Sequence, residues 1–269
     1  MDRITIEQIL EPIGASNFFK NYWGKKHLVI RRNKFKDLFT WDDFNNCINK
    51  YPYMKGLQII NYCKDGDGRW CLDKVRQGKL KLPMLSKEKL YDQWRKQGKT
   101  FVIPFSEYEK EILVNICFEF EKYFGHGQAN IYASPKANSK SFPAHADSTE
   151  NFLFHTEGKT KWTIYKEVAP GPPKTIIGEY ILEPGDLLYI PQYQYHKVET
   201  IGPRILISIH FKNKDQQSLD KFKITSNKDN NRTPWYNWSP YKKITVVKEI
   251  PQHVRSNSPR WKKPYFKNL

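Results

Sequence analysis

The sequence predicts a mainly β protein, with a helical region before the β part and a basic tail after it. Short runs rich in β-branched and aromatic residues, separated by Gly, Pro, Asp and Asn, fill residues 130–211. Patterns with helical spacing occupy much of residues 1–129. Beyond residue 211 the strand pattern decays into a polar segment rich in Lys and Arg. Many short strands with such punctuation favour an all-β sandwich or barrel.

These regions predict the domain organisation. Residues 1–129 form a helical and mixed region packed on the barrel, 130–211 form the β core, and 212–269 form a basic extension that contains aromatic residues. A chain of 269 residues suffices for one large domain or two small ones, with a substantial core. The sequence leaves two interpretations of the extension open: it can wrap the barrel, or it can bind a partner.

The N-terminal elements follow from local patterns. ITIEQILEPI has apolar residues near helical spacing, and HLVI is typical of a short strand. TWDDFNNCIN predicts a helix that Thr40 caps, and SKEKLYDQWRKQG predicts one that begins after Ser86 and ends at Gly98. SEYEKEILVNICFEFEKYFG is the longest helical pattern. The predicted strands that follow are NIYASP, NFLFHTEG, KWTIYKE, YILEPGDLLYIP, HKVET and RILISIHF.

The charge is strongly basic and unevenly distributed. The formal net charge is +17, and residues 212–269 contain 14 Lys and Arg against four Asp and Glu, a net charge of +10. Such an excess attracts anionic partners such as nucleic acid, ribosomes or acidic surfaces. The alternative is a solvated, lysine-rich surface. An aromatic fraction of 15% argues against a disordered chain.

Composition also bears on the compartment. Cys47, Cys63, Cys71 and Cys117 are scattered, which indicates reduced thiols rather than a disulfide framework or a zinc finger. No run approaches the roughly 18 apolar residues of a membrane span, and MDRITIEQIL lacks a signal-peptide pattern. We expect an intracellular protein, cytoplasmic or nuclear, with no membrane partner.

One group of residues indicates chemistry. His145 and Asp147 are two positions apart, a spacing that places both side chains on one face of a strand. His196 follows the apolar strand LLYIP. Two histidines and a carboxylate that converge at a barrel mouth are the ligands of a non-haem Fe(II) facial triad, which leaves open positions for a keto acid and dioxygen. The alternative is that both histidines belong to the core or the surface.

The order of these motifs resembles that of a known family. FPAHADSTENFLFHTEGKTKWTIY and EPGDLLYIPQYQYHKVET resemble the catalytic core of JmjC-type 2-oxoglutarate oxygenases. With SNFFKNYWGKKHLVIRRN and ANIYASP, the likeness extends over residues 4–211 and is greatest to the cupin-like ribosomal oxygenases. The resemblance implies a double-stranded β-helix, a jelly-roll barrel of the cupin type. It also implies that His145, Asp147 and His196 bind Fe(II) and act in catalysis.

The resemblance further implies a basic residue for the distal carboxylate of 2-oxoglutarate, because an unpaired buried carboxylate is costly. The family's usual position is two residues after a glycine, and here it holds Thr160. Lys161, after a shift of the turn by one residue, and Arg204, at the start of RILISIHF, are the two candidates. Tyr132 and Asn151 are weaker candidates near the cosubstrate, and so is His155, since for each of them the sequence favours core packing over a direct role.

The resemblance therefore implies an Fe(II)- and 2-oxoglutarate-dependent dioxygenase that hydroxylates a protein side chain, on a ribosomal or nucleic-acid-associated protein. One alternative keeps the metal and oxidises nucleic acid, guided by the basic tail, or a small molecule. Another is a non-catalytic, basic cupin that binds a partner. Two departures from the family, Thr160 and the short basic C-terminal extension, leave the cosubstrate contact, the substrate and the oligomeric state open.

Overall fold

The computed structural model describes a large part of the chain in detail. The described residues are 4–31, 34–50, 58–61, 64–67, 72–77, 80–125 and 127–211. Cys63, Cys71 and the basic extension at 212–269 lie outside them, and so do the predictions made for those residues.

Thirteen strands lie in the described ranges, and their sheet pairings are all antiparallel. They are β1 (Leu28–Ile30), β2 (Gln58–Asn61), β3 (Lys64–Asp67), β4 (Leu72–Gln77), β5 (Leu80–Leu85), β6 (Thr100–Pro104), β7 (Gln128–Ser134), β8 (Glu150–Glu157), β9 (Thr160–Val168), β10 (Ile176–Leu182), β11 (Leu187–Ile190), β12 (Gln194–Thr200) and β13 (Arg204–Phe211). The predicted strands from NIYASP to RILISIHF are confirmed. The strands β3, β4, β5 and β6 were not expected. The sequences of β3, β4 and β5 are rich in turn-forming and charged residues.

Two of the sheets face each other as in a jelly roll. The larger has the order β1-β11-β8-β13-β7-β6-β2-β3, the smaller has the order β10-β9-β12, and β4 and β5 form a separate pair. One buried cluster joins the two sheets, with Leu153, Leu188, Ile190 and Leu206 from the larger and Trp162, Ile164, Leu182 and Val198 from the smaller. This cluster forms the apolar interior of the barrel. The large sheet contains strands from both sides of residue 130, and the predicted domain boundary there stays a prediction.

Helices cover the other face of the large sheet. They are α1 (Ile6–Leu10), α2 (Ala15–Asn21), α3 (Trp41–Lys50), α4 (Lys87–Tyr91) and α5 (Glu111–Phe124). A π-helical segment at Asp92–Lys96 extends α4, and a short 3-10 helix at Ser106–Glu109 precedes α5. Phe18, Phe120 and Phe124 pack against Phe152 on β8, in a second and larger core. The large sheet is therefore buried on both faces over its central strands.

Capping residues act largely as the sequence predicts. The Thr40 hydroxyl accepts a bond from the Asp43 amide at 3.3 Å, and the Asp43 carboxylate accepts one from the Thr40 amide at 2.9 Å. The Ser86 hydroxyl caps α4, and Gly98 has a φ of 65° just after the π-helical segment. Among the described residues, no helix has the length and apolar character that crossing a membrane requires.

The turn between β8 and β9 holds a glycine that the fold requires. Gly158 has a φ of 72°, and a Cβ there would lie 1.7 Å from the Pro203 carbonyl oxygen, just before Arg204. We expect Gly158→Ala to lower the free energy of unfolding by more than about 2 kcal/mol, because both the backbone conformation and the contact become strained. Urea unfolding followed by circular dichroism measures this loss.

Gly202→Ala is the matched control for this prediction. Gly202 has a φ outside the left-handed region, and no described atom lies within 4 Å of its Cβ position. We expect its stability to be unchanged, or to rise by up to about 1 kcal/mol through loss of chain entropy in the unfolded state. Equal stability of the two variants would contradict the requirement for glycine at 158.

Candidate metal centre

The three residues of the predicted triad come together at one end of the barrel. His145 and Asp147 lie between β7 and β8, and His196 lies on β12. The backbones of the two histidines form an isolated antiparallel bridge, with N–O distances of 3.0 and 2.8 Å. Asp147 lies outside any regular strand, and its carbonyl oxygen accepts a bond from the Tyr193 amide at 2.7 Å. The bridge, rather than the regular strand that the sequence suggested, places this pair beside His196.

The side chains form a compact group of potential ligand atoms. Asp147 Oδ1 lies 3.6 Å from His145 Nε2, and Asp147 Oδ2 lies 3.5 Å from His196 Nε2. All three ligand atoms lie within 4.8 Å of one another. The side chains of His145 and Asp147 are 31% and 38% exposed, whereas that of His196 is 4% exposed. The group is therefore anchored in the barrel wall and open to solvent on one side.

Backbone carbonyl groups orient both imidazole rings. His145 Nδ1 lies 2.9 Å from the Pro143 carbonyl oxygen, and His196 Nδ1 lies 3.0 Å from the Gln194 carbonyl oxygen. Because a carbonyl oxygen only accepts, each Nδ1 carries the proton and each Nε2 presents a lone pair to the group. Burial, aided by the nearby His145, lowers the pKa of His196 to about 4. His196 is therefore neutral at pH 7, the form that binds a metal.

Asn151 holds the carboxylate of Asp147 from β8. Its Nδ2 donates to Asp147 Oδ2 at 3.0 Å and to the Thr149 carbonyl oxygen at 3.2 Å. Groups that orient a metal ligand typically contribute 10- to 100-fold in metal affinity. We expect Asn151→Ala to weaken Mn(II) binding by about that factor, measured by calorimetric titration. Asn45→Ala, on the exposed side of α3, is the control and should bind Mn(II) like the native chain.

Arg204 lies deeper in the barrel and is 1% exposed. Its Nε donates to Ser134 Oγ at 3.0 Å, and Ser134 Oγ lies 2.8 Å from Thr100 Oγ1. Its Nη1 is buried and has no hydrogen-bond partner among the described residues. Burial lowers the pKa of Arg204 to about 10, which leaves the guanidinium charged at pH 7. The barrel therefore holds a buried cation with unused donor capacity.

The structure does not bring Lys161 to this site. Lys161 lies on β9 with a 40% exposed side chain, and its Nζ is 2.8 Å from Glu179 Oε1. Its neighbours Thr160 and Trp162 are buried instead, and the Thr160 hydroxyl accepts a hydrogen bond from Trp162 Nε1 at 3.0 Å. Strand alternation therefore turns Lys161 outward. Of the two basic candidates, only Arg204 occupies the barrel interior.

The remaining candidates lie on strands of the large sheet. Tyr132 on β7 packs against the interior cluster and lies opposite Leu206, near enough to Arg204 to affect its pKa. His155 on β8 is fully buried. Sequence reasoning did not find Ser134, the side-chain partner of Arg204. Ser134 lies opposite Arg204 because β7 pairs with β13 in this register. The sequence of either strand alone does not reveal this pairing.

Comparison with known proteins shows a likeness to JmjC domains. The model of the JmjC domain family matches residues 101–219. The structure of YcfD, a ribosomal oxygenase from Escherichia coli in complex with cobalt and 2-oxoglutarate, superposes with a TM-score of 0.54 at 16% identity. The superposition covers 91% of this chain and 67% of that chain. The predicted family resemblance and the predicted fold class are both confirmed.

Two relatives in sequence have names that state a more specific activity. Ribosomal oxygenase 2 of Rattus norvegicus is 30% identical over 213 residues, which are 72% of this chain and 43% of that protein. The bifunctional lysine-specific demethylase and histidyl-hydroxylase NO66 of Dictyostelium discoideum is 26% identical over 226 residues, 75% of this chain and 41% of that protein. The chain thus spans less than half the length of these curated relatives.

Proposed function

We propose that this chain is an Fe(II)- and 2-oxoglutarate-dependent oxygenase that hydroxylates a protein side chain. The observation that carries the proposal is the convergence of His145, Asp147 and His196 to within 4.8 Å, at the mouth of a barrel that also buries Arg204. In the reaction, 2-oxoglutarate and dioxygen yield succinate and carbon dioxide, and one oxygen atom enters a C–H bond as a hydroxyl group.

The residues present fit the implied metal. Two neutral imidazoles and one carboxylate suit Fe(II), and three protein ligands leave coordination positions open. His145, Asp147 and His196 would hold the ion, and the ion with its cosubstrate would supply the oxidising chemistry. The protein's own residues bind, orient and shield: the carbonyl oxygens of Pro143 and Gln194 hold the imidazoles in place.

Arg204 supports binding of the cosubstrate. A buried guanidinium with a free N–H can pair with the distal carboxylate of 2-oxoglutarate, and the charge of the acid offsets the cost of burying the cation. Tyr132 lies on the neighbouring strand β7, opposite Leu206. The non-catalytic alternative depends on the presence of a threonine, rather than a basic residue, at position 160. The inward position of Arg204 supplies a basic group and favours the enzyme.

The names of the relatives suggest the substrate. Ribosomal oxygenase 2 and the histidyl-hydroxylase NO66 point to a protein side chain, with ribosomal proteins as the first candidates. Nucleic acid is the second candidate because of the net charge of +17. Salt separates the two, since turnover of a nucleic acid would fall steeply as ionic strength rises.

The test is succinate formation from 2-oxoglutarate with Fe(II) and oxygen, with and without ribosomal protein. We expect succinate from the native chain, stimulation by the substrate, and a peptide heavier by one oxygen atom in mass spectrometry. His145→Ala should give no succinate, while His27→Ala, at a histidine outside the triad, should retain activity. Equal activity in both variants, or none in the native chain with any candidate, would refute the proposal.

A further inference from the structure

Three buried polar atoms in the inner part of the barrel have no hydrogen-bond partner among the described residues. They are the two ring nitrogens of His155 and Nη1 of Arg204. The two residues are neighbours, since His155 lies opposite Leu206, two positions from Arg204 on β13, and the charge of Arg204 contributes to lowering the pKa of His155. Buried polar groups are nearly always paired in native proteins, and an unpaired one is costly. These atoms therefore point to a ligand that accepts hydrogen bonds from the N–H donors among them.

The chemistry of the two side chains describes that ligand. Burial is the main cause that lowers the pKa of His155 to about 3, so the imidazole is neutral at pH 7 and has one N–H donor. Arg204 adds a positive charge and further N–H donors. A group that accepts from both and carries negative charge is a carboxylate or a similar anion. A cation or an apolar group would leave both donors unpaired.

Between this pair and the metal centre, the side chains that face the barrel interior are polar at both ends and apolar in the middle. On β8 the inward side chains are Asn151, Leu153 and His155, and on β13 Leu206 lies opposite His155 and two positions from Arg204. Asn151 and His155 are about 13 Å apart along the strand, at roughly 3.3 Å per residue. Side chains from both ends and a short diacid can span this length. The pattern suits a molecule with polar ends and methylene groups between them.

Building on the proposed function, we propose that His155 is a second contact to the distal carboxylate of 2-oxoglutarate, beside Arg204. The pair would take the role that no basic residue on β9 fills here, because position 160 is a threonine and Lys161 points outward to Glu179. His155 thus becomes a specificity-determining residue. It selects a keto acid that has a second carboxylate over one that lacks it.

The test compares two ligands in two proteins. Dissociation constants are measured by calorimetry with Mn(II) and without oxygen, for 2-oxoglutarate and for 2-oxopentanoate, which has a methyl group in place of the distal carboxylate. We expect His155→Leu to weaken 2-oxoglutarate binding by about 10- to 100-fold, the range of a hydrogen bond to a charged group. Binding of 2-oxopentanoate should stay unchanged. His155→Gln, which keeps an N–H donor, should recover part of the loss.

Each other outcome has a defined meaning. Equal weakening of both ligands would show a packing role for His155, and no weakening of either would show no contact; both overturn the inference. If native protein fails to bind 2-oxoglutarate, the proposed function fails and this inference with it. If native protein binds it but the variants discriminate as the native chain does, only the inference fails. His27→Leu is the control histidine, and His155→Met replaces the leucine variant if that variant does not fold.

Discussion

Asp147→Ala is expected to weaken metal binding by at least about 100-fold and to abolish succinate formation from 2-oxoglutarate. Asp147 is the carboxylate of the group, within 3.6 Å of both histidine Nε2 atoms. Its loss leaves two neutral ligands, and even groups that only orient a ligand contribute 10- to 100-fold. Calorimetric titration with Mn(II) and a succinate assay measure the two effects.

The fold should survive this change, because the Asp147 side chain is 38% exposed. Thermal unfolding of the metal-free variant checks this expectation. Asp42→Ala, at an exposed aspartate in the first turn of α3, is the matched control and should bind Mn(II) normally. Native-like metal affinity in Asp147→Ala would contradict the proposed metal centre.

Arg204→Leu is expected to weaken binding of 2-oxoglutarate by about 30-fold or more without loss of stability. Truncating one partner of a buried, hydrogen-bonded charge pair typically costs 2–5 kcal/mol, which sets the size of this effect. No carboxylate forms an ion pair with Arg204 within the described ranges, so the empty protein bears the cost of a buried cation. Replacing such a group with an apolar one is often neutral or stabilising.

The combination of weaker binding and equal or higher stability distinguishes a ligand contact from a structural role. Calorimetry without oxygen measures the first, and urea unfolding measures the second. Lys161→Met is the control for the other basic candidate. Because Lys161 lies on the exposed surface of β9 and pairs with Glu179, its replacement should leave 2-oxoglutarate binding unchanged. The reverse result, with Lys161 required and Arg204 dispensable, would contradict the assignment.

A substitution in the turn before β9 is expected to disturb the position of Arg204. Gly158 lies against the Pro203 carbonyl, directly before Arg204. A side chain at 158 would displace the backbone that carries the guanidinium. We therefore expect Gly158→Ala to affect 2-oxoglutarate binding as well as stability, in contrast to Asn151→Ala, whose effect is on the metal.

Much of this protein could be predicted from the sequence by itself. Short β-branched and aromatic runs between turn residues predict the strands. Apolar positions at helical spacing predict α5. The three candidate metal ligands could be recognised because HxD and the distal His196 have side chains suited to a metal, in a familiar order of motifs. These are local properties of the chain, and local pattern and residue chemistry are enough to read them.

The tertiary structure decided which basic residue enters the barrel, and which polar groups lie beside it. Alternation along β9 puts Lys161 and Thr160 on opposite faces, but only the packing of the two sheets determines which face is inside. The register of β13 against β7 and β8 brings Ser134 and His155 to Arg204, across 70 and 49 positions of the sequence. Desolvation of these groups, and hence their charge state and unused hydrogen bonds, exists only once distant strands pack together.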